Sequence, residues 1–497
     1  MTMDVTPEQT VVSVVGLGYV GLPTAISFYD AGFIVRGVDV SERVIKSLEN
    51  GLPPFVDEGV DLTIPKASSR WNVSADYSSS IAESDIVLIT VPTPVKNDKK
   101  PDLSFVVSAA TSVLRNIDRS KKTIIVLEST VYPGVTRKEL GRICKELHIT
   151  PSRDVILAYS PERINPGDPF HSASSVDRIV GCDDPNIGKY LANVYSKITS
   201  ATSTYVGSIE VAEAAKLVEN VQRDIDIAFV NELANILPMM NLDVEEVLSA
   251  ASTKWNFHRH TPGIGVGGHC IPVDPYYYHQ LSESLGIPSK ISPIAREINE
   301  NMPISSAQSI FNAISDSLEK RVLVLGYSYK QNTGDARETP VRKMTKELSE
   351  KGCRVFVLDP HIDHSEFPDW IAPISSLEEL EEAEIIVIAT AHDEFIDLDW
   401  RLAVTTTDGS GTIIGGGFTA NGDEFIQRVN VGTSGSATEV GLASGRSAIA
   451  NLLPRALEDA GKLRFETPLV IVILSDEEDA DIKRAGCRNN RQCAEQN

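Results

Sequence analysis

The sequence predicts an α/β protein with two Rossmann-like, doubly wound parallel-sheet domains joined by a helical central domain with a long helix. Three observations predict this fold class. Short apolar runs of strand length alternate with helix-like segments, a long helical pattern interrupts the alternation after about residue 205, and the alternation then begins again. At 497 residues, of which 42 % are hydrophobic, the chain is long enough for two or three domains with their own cores.

The first strand–helix–strand unit lies near the N-terminus. An apolar run at 11–15 leads into the glycine-rich segment GLGYVG, a helical stretch that ends near Gly32, and a second strand over 33–38 that closes on Asp39. Further strand-like runs occupy residues 84–91, 123–127, 155–159 and 177–180. Their alternation with helix-like segments predicts a parallel sheet with helices on both faces.

The pattern changes in the middle of the chain and then repeats. From about residue 210 to 240, apolar residues at spacings of three and four predict one long helix, which is either a core helix or a dimer interface. A second unit follows, and its segment EAEIIVIAT resembles ESDIVLIT in the first unit. Its strands are predicted at 321–325 and 353–359, around a helix at about 340–351. The predicted domains are therefore 1–205, 206–315 and 316–432, followed by a Gly-, Ser- and Asn-rich tail over 433–497 that we expect to be partly disordered.

Composition limits the partners of the protein. A net charge of -23 disfavours nonspecific binding to nucleic acid or anionic membranes, and it suits a high-salt cytoplasm as well as ordinary acidic cytosolic proteins. The N-terminus lacks the basic stretch of a secretory signal, and no run approaches the roughly 20 apolar residues of a membrane span. We therefore expect a cytoplasmic protein without membrane insertion. The six scattered cysteines form no CxxC pair, which predicts reduced thiols and no metal site.

The glycine-rich segment at 16–21 predicts a dinucleotide site. Glycines in a strand-to-helix turn let the backbone approach a pyrophosphate, and the following helix N-terminus attracts its charge. Asp39 ends the second strand, where a carboxylate binds the ribose 2′-hydroxyl and repels the 2′-phosphate of NADP. The combination predicts NAD as the cofactor, and the neighbouring Arg36 is the one feature that favours NADP.

A second glycine-rich segment, GIGVGGHCIPVDP, contains a cysteine. Cys270 stands beside His269 and four residues before Asp274. A thiolate needs nearby donors and positive charge to lower its pKa, and a glycine loop can supply backbone N–H groups to the thiolate and to a developing oxyanion. An isolated loop cysteine is usually inert, but this context predicts a nucleophile.

Four segments, GLGYVGLP, SPERINPGD, EAAKLVENVQRD and GVGGHCIPVDPYYY, resemble the nucleotide-sugar 6-dehydrogenases, the family of UDP-glucose, GDP-mannose and UDP-N-acetylhexosamine dehydrogenases. The resemblance runs from about residue 11 to 400. The histidine before the cysteine, the VDPYY after it, SPERINPGD and TKWNF are similar to the UDP-N-acetylhexosamine branch. UDP-glucose or GDP-mannose oxidation and an inactive NAD-binding paralogue stay as alternatives. A two-electron hydroxyacid-type dehydrogenase has no use for a nucleophilic cysteine.

The resemblance implies a four-electron oxidation of the sugar C6 hydroxyl to a carboxylate, with two NAD per turnover. Cys270 adds to the aldehyde as a thiohemiacetal, a second oxidation gives a thioester, and water hydrolyses it. By motif position, Lys216 stabilises the alkoxide or oxyanion, and Asn220 lies four residues on, on the same helical face. Asp274 orders the hydrolytic water, and Glu162 is the general base or a proton relay.

The resemblance also assigns tasks to the predicted domains: NAD binding to 1–205, the catalytic cysteine loop and dimerisation to 206–315, and nucleotide-sugar binding to 316–432. Thr130 binds the hydrolytic water or the nicotinamide side of the cofactor. The cofactor-binding residues are Gly16, Gly18, Tyr19, Val20, Gly21, Asp39, Thr93, Thr130 and Arg337. The substrate-binding residues are Glu162, Arg163, Lys216, Asn220, Gly267 and Lys330.

In the second half, the segment GYSYK replaces the dinucleotide glycines by one glycine and a lysine, so we predict no second dinucleotide there. The resemblance places the diphosphate of a UDP-sugar at this turn, with Lys330 against a phosphate and Arg337 reaching the cofactor across a domain or subunit boundary. We expect a homodimer or a higher homo-oligomer. The chain departs from the family at 408–411, where DGSG stands in place of a DGRN-like strand end.

Overall fold

The fold is described from a computed structural model, which describes residues 5–55, 62–164, 173–314, 319–380, 383–395 and, for the backbone alone, 471–473. The chain divides into two compact units. The first unit contains residues 1–223 and 269–293, and the second contains 224–268 and 294–497. The division into three domains stays a prediction.

The first unit is built on an eight-stranded sheet. Its strands are β1 (Val11–Val15), β2 (Ile34–Val38), β3 (Trp71–Ser74), β4 (Ile86–Ile89), β5 (Thr123–Leu127), β6 (Val155–Tyr159), β7 (Arg178–Cys182) and β8 (Ser203–Gly207). They lie in the order β3-β2-β1-β4-β5-β6-β7-β8. The residues of β4 and β5 are all buried, as expected for central strands of a sheet covered on both faces.

The predicted doubly wound sheet is confirmed, with one difference. All neighbouring strands pair in parallel except β6 and β7, which are antiparallel. A parallel neighbour requires a crossover connection, usually a helix. The described residues of this connection, 160–164 and 173–177, contain no helix. The run predicted at 177–180 is therefore a strand, but not a parallel neighbour of the preceding one.

Helices cover the sheet and connect the two units along the chain. In chain order they are α1 (Gly21–Asp30), α2 (Glu42–Glu49), α3 (Tyr77–Ala82), α4 (Ser104–Asn116), α5 (Gly141–Glu146), α6 (Pro185–Tyr195), α7 (Ile209–Ile236), α8 (Val244–Ala251), α9 (Asp274–Ser284) and α10 (Ile291–Ala313). The predicted long helix is α7, with 28 residues. A 3-10 turn at Leu237–Met240 follows it and ends in Asn241, which has a left-handed φ of 56°.

The sheet of the second unit repeats the order of the first five strands of the first unit. Its sheet contains β9 (Arg321–Leu325), β10 (Arg354–Leu358), β11 (Ile371–Pro373), β12 (Ile385–Ile388) and β13 (Ile471–Ile473), and α11 (Pro340–Glu350) follows β9. The order β11-β10-β9-β12-β13 matches β3-β2-β1-β4-β5, and all pairs are parallel. The repeat seen in the sequence is therefore also a structural repeat.

One segment of the C-terminal tail, predicted to be partly disordered, forms a strand. The strand β13 lies inside the apolar run at 469–474, so this segment of the predicted tail adds a strand to the second sheet. The predictions for the rest of the tail and for the departure at 408–411 lie outside the described residues. Across the part of the chain that the structure describes, every helix is too short or too polar to cross a membrane.

Candidate active site

The turn between β1 and α1 has the geometry of a dinucleotide-binding turn. Gly16 has a φ of +97°, a left-handed value that favours glycine. A Cβ on Gly21 would lie 1.8 Å from the carbonyl oxygen of Gly16, so only glycine fits there. A Cβ on Gly18 would meet no atom within 4 Å, so this side of the turn has room for a ligand. Tyr19 and Val20 are half-buried in the same turn, which fits a pyrophosphate at the start of α1.

Asp39 lies half-buried at the end of β2. Its Oδ2 accepts a hydrogen bond from the backbone N–H of Leu17 at 2.8 Å, and its Oδ1 accepts one from Ser41 at 2.8 Å. Each oxygen keeps a second lone pair for a ribose hydroxyl. Arg36, the residue that favoured NADP, pairs with Glu83 at 3.2 Å. Because that cation is already paired, the charge of Asp39 favours NAD.

The Asp39→Asn variant should bind NAD about 10- to 100-fold more weakly, because a charged hydrogen-bond acceptor becomes a neutral one. The ratio of its dissociation constants for NADP and NAD should also become smaller. Titration of the purified protein with both cofactors measures this, with Glu42→Gln as a control for the loss of one surface carboxylate on α2. An unchanged dissociation constant for NAD would remove Asp39 from the cofactor site.

Side-chain hydrogen bonds join the loops that follow β1, β4 and β5. Thr90 Oγ1 donates to the backbone oxygen of Gly16 at 2.8 Å, and Ser129 Oγ donates to the backbone oxygen of Val91 at 2.6 Å. Neither hydroxyl was predicted from the sequence. All three loops lie at the carboxyl edge of parallel strands, which is where open α/β sheets bind their ligands. This series of contacts therefore fixes the shape of the predicted cofactor site.

Thr93 and Thr130, which the sequence assigns to the cofactor, are half-buried residues of the loops after β4 and β5. The loop after β4 is also held by α9, because Tyr277 donates its hydroxyl hydrogen to the backbone oxygen of Pro94 at 3.3 Å. The structure thus places both threonines at the same sheet edge as the glycine turn. Their contact with NAD stays a prediction.

Helix α7 holds two of the predicted catalytic side chains. Lys216 is buried, and its Nζ donates to the backbone oxygen of Glu162 at 2.7 Å. One turn later, Asn220 Nδ2 donates to Oδ2 of Asp274. Residues four apart lie on the same face of a helix. The structure therefore brings the SPER loop and the cysteine segment to one face of α7, as the spacing suggested.

Glu213 lies on the same face of α7, three residues before Lys216, and sequence reasoning missed it. Its side chain is 0 % exposed. Oε2 accepts a hydrogen bond from the backbone N–H of Gly134 at 2.6 Å, and Oε1 accepts one from Thr136 at 2.9 Å. One face of α7 thus holds three separate loops through three polar side chains.

Cys270 lies in the turn that leads into α9. It is exposed, in contrast to the other described cysteines, Cys144, Cys182 and Cys353. Its carbonyl oxygen accepts hydrogen bonds from the backbone N–H groups of Val273 at 3.1 Å and Asp274 at 2.8 Å. This turn holds Asp274, the first residue of α9, one turn from the thiol.

The charges around Cys270 act on its thiol in opposite directions. Desolvation by the surrounding protein raises the pKa of Cys270 although the residue has solvent access, Lys216 lowers this pKa, and Asp274 raises it. Burial raises the pKa of Asp274 to about 6, while Lys216 and Asn220 act to lower it. Lys216 therefore favours both the thiolate and the aspartate anion.

Glu162 is buried, and its carboxylate is already engaged. Oε1 accepts hydrogen bonds from the backbone N–H groups of Arg163 at 2.7 Å and Ile164 at 2.8 Å, and Oε2 pairs with Arg178 at 2.9 Å. The guanidinium of Arg163 pairs with Glu219 of α7. The predicted role of Glu162 as a base therefore requires the ion pair with Arg178 to open.

Arg178, which the sequence did not single out, serves two buried carboxylates. It is 1 % exposed, and Glu128, which is 2 % exposed, accepts a hydrogen bond from Tyr195 Oη nearby. Burial raises the pKa of Glu128, Arg178 lowers it, and Glu162 raises it. Arg178 therefore acts to keep the buried carboxylate of Glu128 ionised, against the effect of burial.

The glycine loop before Cys270 packs tightly within the second unit. A Cβ on Gly267 would lie 2.7 Å from the Cβ of Tyr329, and one on Gly268 would lie 2.8 Å from the ring of the same tyrosine. Gly265 has a φ of +137°, and its Cβ would lie 3.2 Å from Pro340. Close packing therefore requires these glycines. Packing is thus a second reason for the glycines, besides the backbone N–H donation that the sequence suggested.

The turn after β9 repeats the turn after β1. Gly326 has a φ of +83°, and a Cβ there would lie 2.2 Å from the backbone oxygen of Thr390. At the end of β10, Asp359 Oδ2 accepts hydrogen bonds from the backbone N–H groups of Tyr327 at 2.6 Å and Ser328 at 2.9 Å. A carboxylate at the end of the second strand thus holds the turn after the first strand in both units.

Lys330 and Arg337, assigned to the diphosphate and the cofactor, lie in the loop between β9 and α11. Lys330 is 6 % exposed, and its backbone oxygen accepts hydrogen bonds from Ser328 Oγ at 2.8 Å and Thr333 Oγ1 at 3.1 Å. Arg337 forms a two-point pair with Asp335, at 2.8 Å and 2.7 Å. This pair uses two of the five N–H donors of the guanidinium, and both roles stay predictions.

One group of three metal-ligand side chains occurs in the described part of the chain: His361, His392 and Glu394, whose donor atoms lie within 4.8 Å of one another. His392 Nδ1 accepts a hydrogen bond from the backbone N–H of Asn332 at 2.9 Å, and its Nε2 lies 3.1 Å from Oδ2 of Asp359. An imidazole that accepts through Nδ1 and donates through Nε2 has no lone pair left for a metal. We therefore assign His392 a structural role.

Comparison with known proteins matches three consecutive parts of the chain to one family. The family is the UDP-glucose/GDP-mannose dehydrogenase family. The model of its NAD binding domain matches residues 10–199, that of its central domain matches 210–301, and that of its UDP binding domain matches 323–414. The UDP-N-acetyl-D-glucosamine 6-dehydrogenase of Salmonella typhi is 37 % identical over 396 residues, which cover 78 % of this chain and 91 % of that protein.

Solved structures show the same likeness. The UDP-D-ManNAc dehydrogenase of Pyrococcus horikoshii superposes with a TM-score of 0.70 at 32 % identity, covering 79 % of this chain and 91 % of that one. A UDP-glucose dehydrogenase of Pyrobaculum islandicum superposes with a TM-score of 0.73 at 28 % identity, covering 81 % and 95 %.

Proposed function

Because the chain belongs to the UDP-glucose/GDP-mannose dehydrogenase family and is an NAD-dependent nucleotide-sugar dehydrogenase, we propose that it oxidises the C6 hydroxyl of a UDP-N-acetylhexosamine to a carboxylate. The balanced reaction consumes the alcohol, two NAD and one water, and it yields the carboxylate, two NADH and three protons. Names of relatives in Salmonella typhi and Pyrococcus horikoshii refer to N-acetylated sugars, which supports this substrate class.

The observation that carries the proposal is an exposed thiol next to a set of held polar side chains. Cys270 is exposed, while Lys216 and Asp274 are buried and Asn220 orients Asp274. A protein that only bound NAD would need neither the thiol nor this set. The arrangement therefore supports an enzyme over an inactive NAD-binding paralogue.

In the first oxidation, Lys216 stabilises negative charge on the C6 oxygen. Its ammonium group is buried and held by the backbone oxygen of Glu162, so it needs little reorganisation when the alkoxide forms. Bound NAD supplies the hydride acceptor for both oxidations. The residues that would hold it are those of the glycine turn, Asp39 and the loop with Thr130.

Cys270 then forms the covalent adduct. Its Sγ bonds to C6 of the aldehyde, and the thiol proton passes to the C6 oxygen. The thiohemiacetal then loses the C6 hydrogen as hydride and the hydroxyl hydrogen as a proton, and a thioester results. Water adds to the thioester carbonyl, the C–S bond breaks, and the thiol returns. Asp274 orders this water while Asn220 orients the carboxylate, and Glu162 relays the proton.

The substrate nucleotide is assigned to the second unit. The UDP binding domain of the family matches residues from 323 onward, and this range includes the turn after β9 and the buried Lys330. We assign Lys330 to a phosphate, Gly267 to the sugar side and Arg163 to substrate binding through its part in the SPER loop.

The test of this proposal is a panel of UDP-N-acetylglucosamine, UDP-N-acetylmannosamine, UDP-N-acetylgalactosamine, UDP-glucose and GDP-mannose, with NADH formation followed at low and high salt. One UDP-N-acetylhexosamine should exceed the others in kcat/KM by roughly 100-fold. A preference for UDP-glucose or GDP-mannose would replace the proposed substrate. Absence of NADH with every sugar would contradict the proposed activity itself.

The activity should fall as the pH decreases through about 6. Burial raises the pKa of Asp274 to about 6, so its carboxylate is anionic above this value and protonated below it. The mechanism uses the anion, so kcat/KM should show an acidic limb near pH 6. The residual activity of Asp274→Asn should lack this limb. If Asp274→Asn keeps the same acidic limb near pH 6, the limb comes from the titration of another group.

We propose that the protein forms a homodimer through α7. The helix exposes four apolar side chains, Val211, Val218, Phe229 and Ile236. Their spacings of seven, eleven and seven residues return to one face of an α-helix within about 20°. Such an exposed apolar stripe marks an interaction surface.

Sedimentation should therefore give twice the chain mass of 54.0 kDa. Phe229→Glu should weaken association by about 100-fold or more, because it places a charge in an apolar interface. Leu52→Glu, a change at an exposed apolar side chain outside α7, is the control. A monomer in the unmodified protein would refute this assignment.

A further inference from the structure

A continuous set of contacts leads from the glycine turn to α7. Thr90 holds Gly16, Ser129 holds the strand end at Val91, and the loop that contains Ser129 continues to Gly134. At its far end, the main chain of this loop is hydrogen-bonded to one side chain of α7. That side chain is Glu213, which accepts hydrogen bonds from the N–H groups of Gly134 and Thr136.

The geometry of Glu213 fits a holding role. Its carboxylate is 0 % exposed and uses one oxygen for each amide, at 2.6 Å and 2.9 Å. Charge-assisted bonds of this kind are short and directional. Burial raises the pKa of Glu213, and its hydrogen bonds with Thr136 and Gly134 act to lower it. A buried acid would not be tolerated without such partners.

We propose that Glu213 is a positioning residue for the loop over 128–136, and that through this loop it sets the place of the nicotinamide end of NAD relative to Lys216. Glu213 and Lys216 lie three residues apart on one face of a rigid helix, so the loop and the ammonium group are held in a fixed relation. The inference rests on the proposed function in assigning Thr130 of this loop to the nicotinamide side.

The other end of the same helix face serves the substrate chemistry. Asn220 holds Asp274, which follows Cys270 by one turn. A change at Glu213 should therefore disturb the cofactor and leave the thiol unaffected, while a change at Asn220 should do the reverse. This separation distinguishes positioning from a general loss of structure.

The test compares Glu213→Gln with Glu210→Gln and Asn220→Ala. Glutamine keeps the size of Glu213 but places an amide donor against one of the two backbone donors. Glu210 is the matched control, because it lies one turn earlier on α7 and pairs with the side chain of Arg137 instead of with main-chain groups. The measurements are the NAD dissociation constant, kcat, the alkylation rate of Cys270 by iodoacetamide, and the melting temperature.

For Glu213→Gln we expect about a 10-fold weaker affinity for NAD and a kcat lower by about 10- to 100-fold, because small displacements of reacting groups have effects of this size. The alkylation rate of Cys270 should stay within about twofold of the unmodified protein. Glu210→Gln should match the unmodified protein in all four measurements. Asn220→Ala should change alkylation and retain NAD affinity.

Two outcomes would overturn the inference. The first is unchanged NAD affinity and kcat in Glu213→Gln. The second is an equal decline in NAD affinity, alkylation and melting temperature, which indicates a purely structural role. If the unmodified protein gives no NADH with any sugar, the proposed function fails, and the NAD dissociation constants of the two Glu variants still decide the positioning role.

Discussion

Cys270→Ser should abolish complete oxidation of the sugar, with kcat lower by about 1000-fold or more, because a serine hydroxyl is a weak nucleophile and no residue takes over the adduct. At most one NADH should form per active site, from the first hydride transfer. The NAD dissociation constant should be unchanged, since Cys270 is not among the residues assigned to the cofactor. Steady-state absorbance measures kcat, stopped-flow absorbance under single-turnover conditions measures the NADH formed per active site, and titration measures the NAD dissociation constant.

The control for this variant is Cys353→Ser in the second unit, where the cysteine is 6 % exposed. It should retain kcat and show only a loss of folding stability from a polar group in the core. Sustained turnover by Cys270→Ser at more than a few per cent of the normal rate would mean that the thioester route is not used.

Lys216→Ala should lower kcat by about 100- to 1000-fold, the effect of removing one electrostatic stabiliser of an oxyanion. The variant also has a second consequence that is independent of turnover. Lys216 lowers the pKa of Cys270, so its removal should raise that pKa and slow the alkylation of the thiol at neutral pH. A pH series of iodoacetamide alkylation tests this sign directly.

The matched control is Lys197→Ala, the loss of an exposed lysine that follows α6. It should leave both kcat and the alkylation profile unchanged. If Lys216→Ala alkylates faster than the unmodified protein, Lys216 does not stabilise the thiolate. If kcat is retained as well, the assignment of Lys216 to the oxyanion is wrong.

Local patterns predicted the parts of the fold that depend on nearby residues. The turn at Gly16, the carboxylate at Asp39 and a long helix from about residue 210 follow from short-range spacing, and the structure contains each. The helix α7 ends at Ile236, before the predicted end at about residue 240, because a 3-10 turn follows it. The antiparallel β7 was not predicted, since an apolar run does not encode the direction of its neighbour. Direction follows from the connection, which sequence periodicity does not describe.

In the candidate site, too, the residues recognised from local sequence were predicted, and those held by distant segments were missed. Lys216 and Asn220 were predicted from the resemblance of EAAKLVENVQRD to the family, and their spacing of four places them on one face of a helix. Glu213 and Arg178 were missed, since their partners are main-chain amides or carboxylates in distant segments. The spacing of Glu213 to Lys216, three residues on the same face, is a signal that could have pointed to it. Arg178 has no comparable local signal.

The most direct test of the central claim is the number of NADH formed per sugar consumed, measured with the preferred UDP-N-acetylhexosamine and with the product identified by mass. The proposed route through Cys270 predicts two NADH per sugar, a carboxylate product and no free aldehyde. One NADH per sugar, with an aldehyde as the product, would contradict the covalent mechanism.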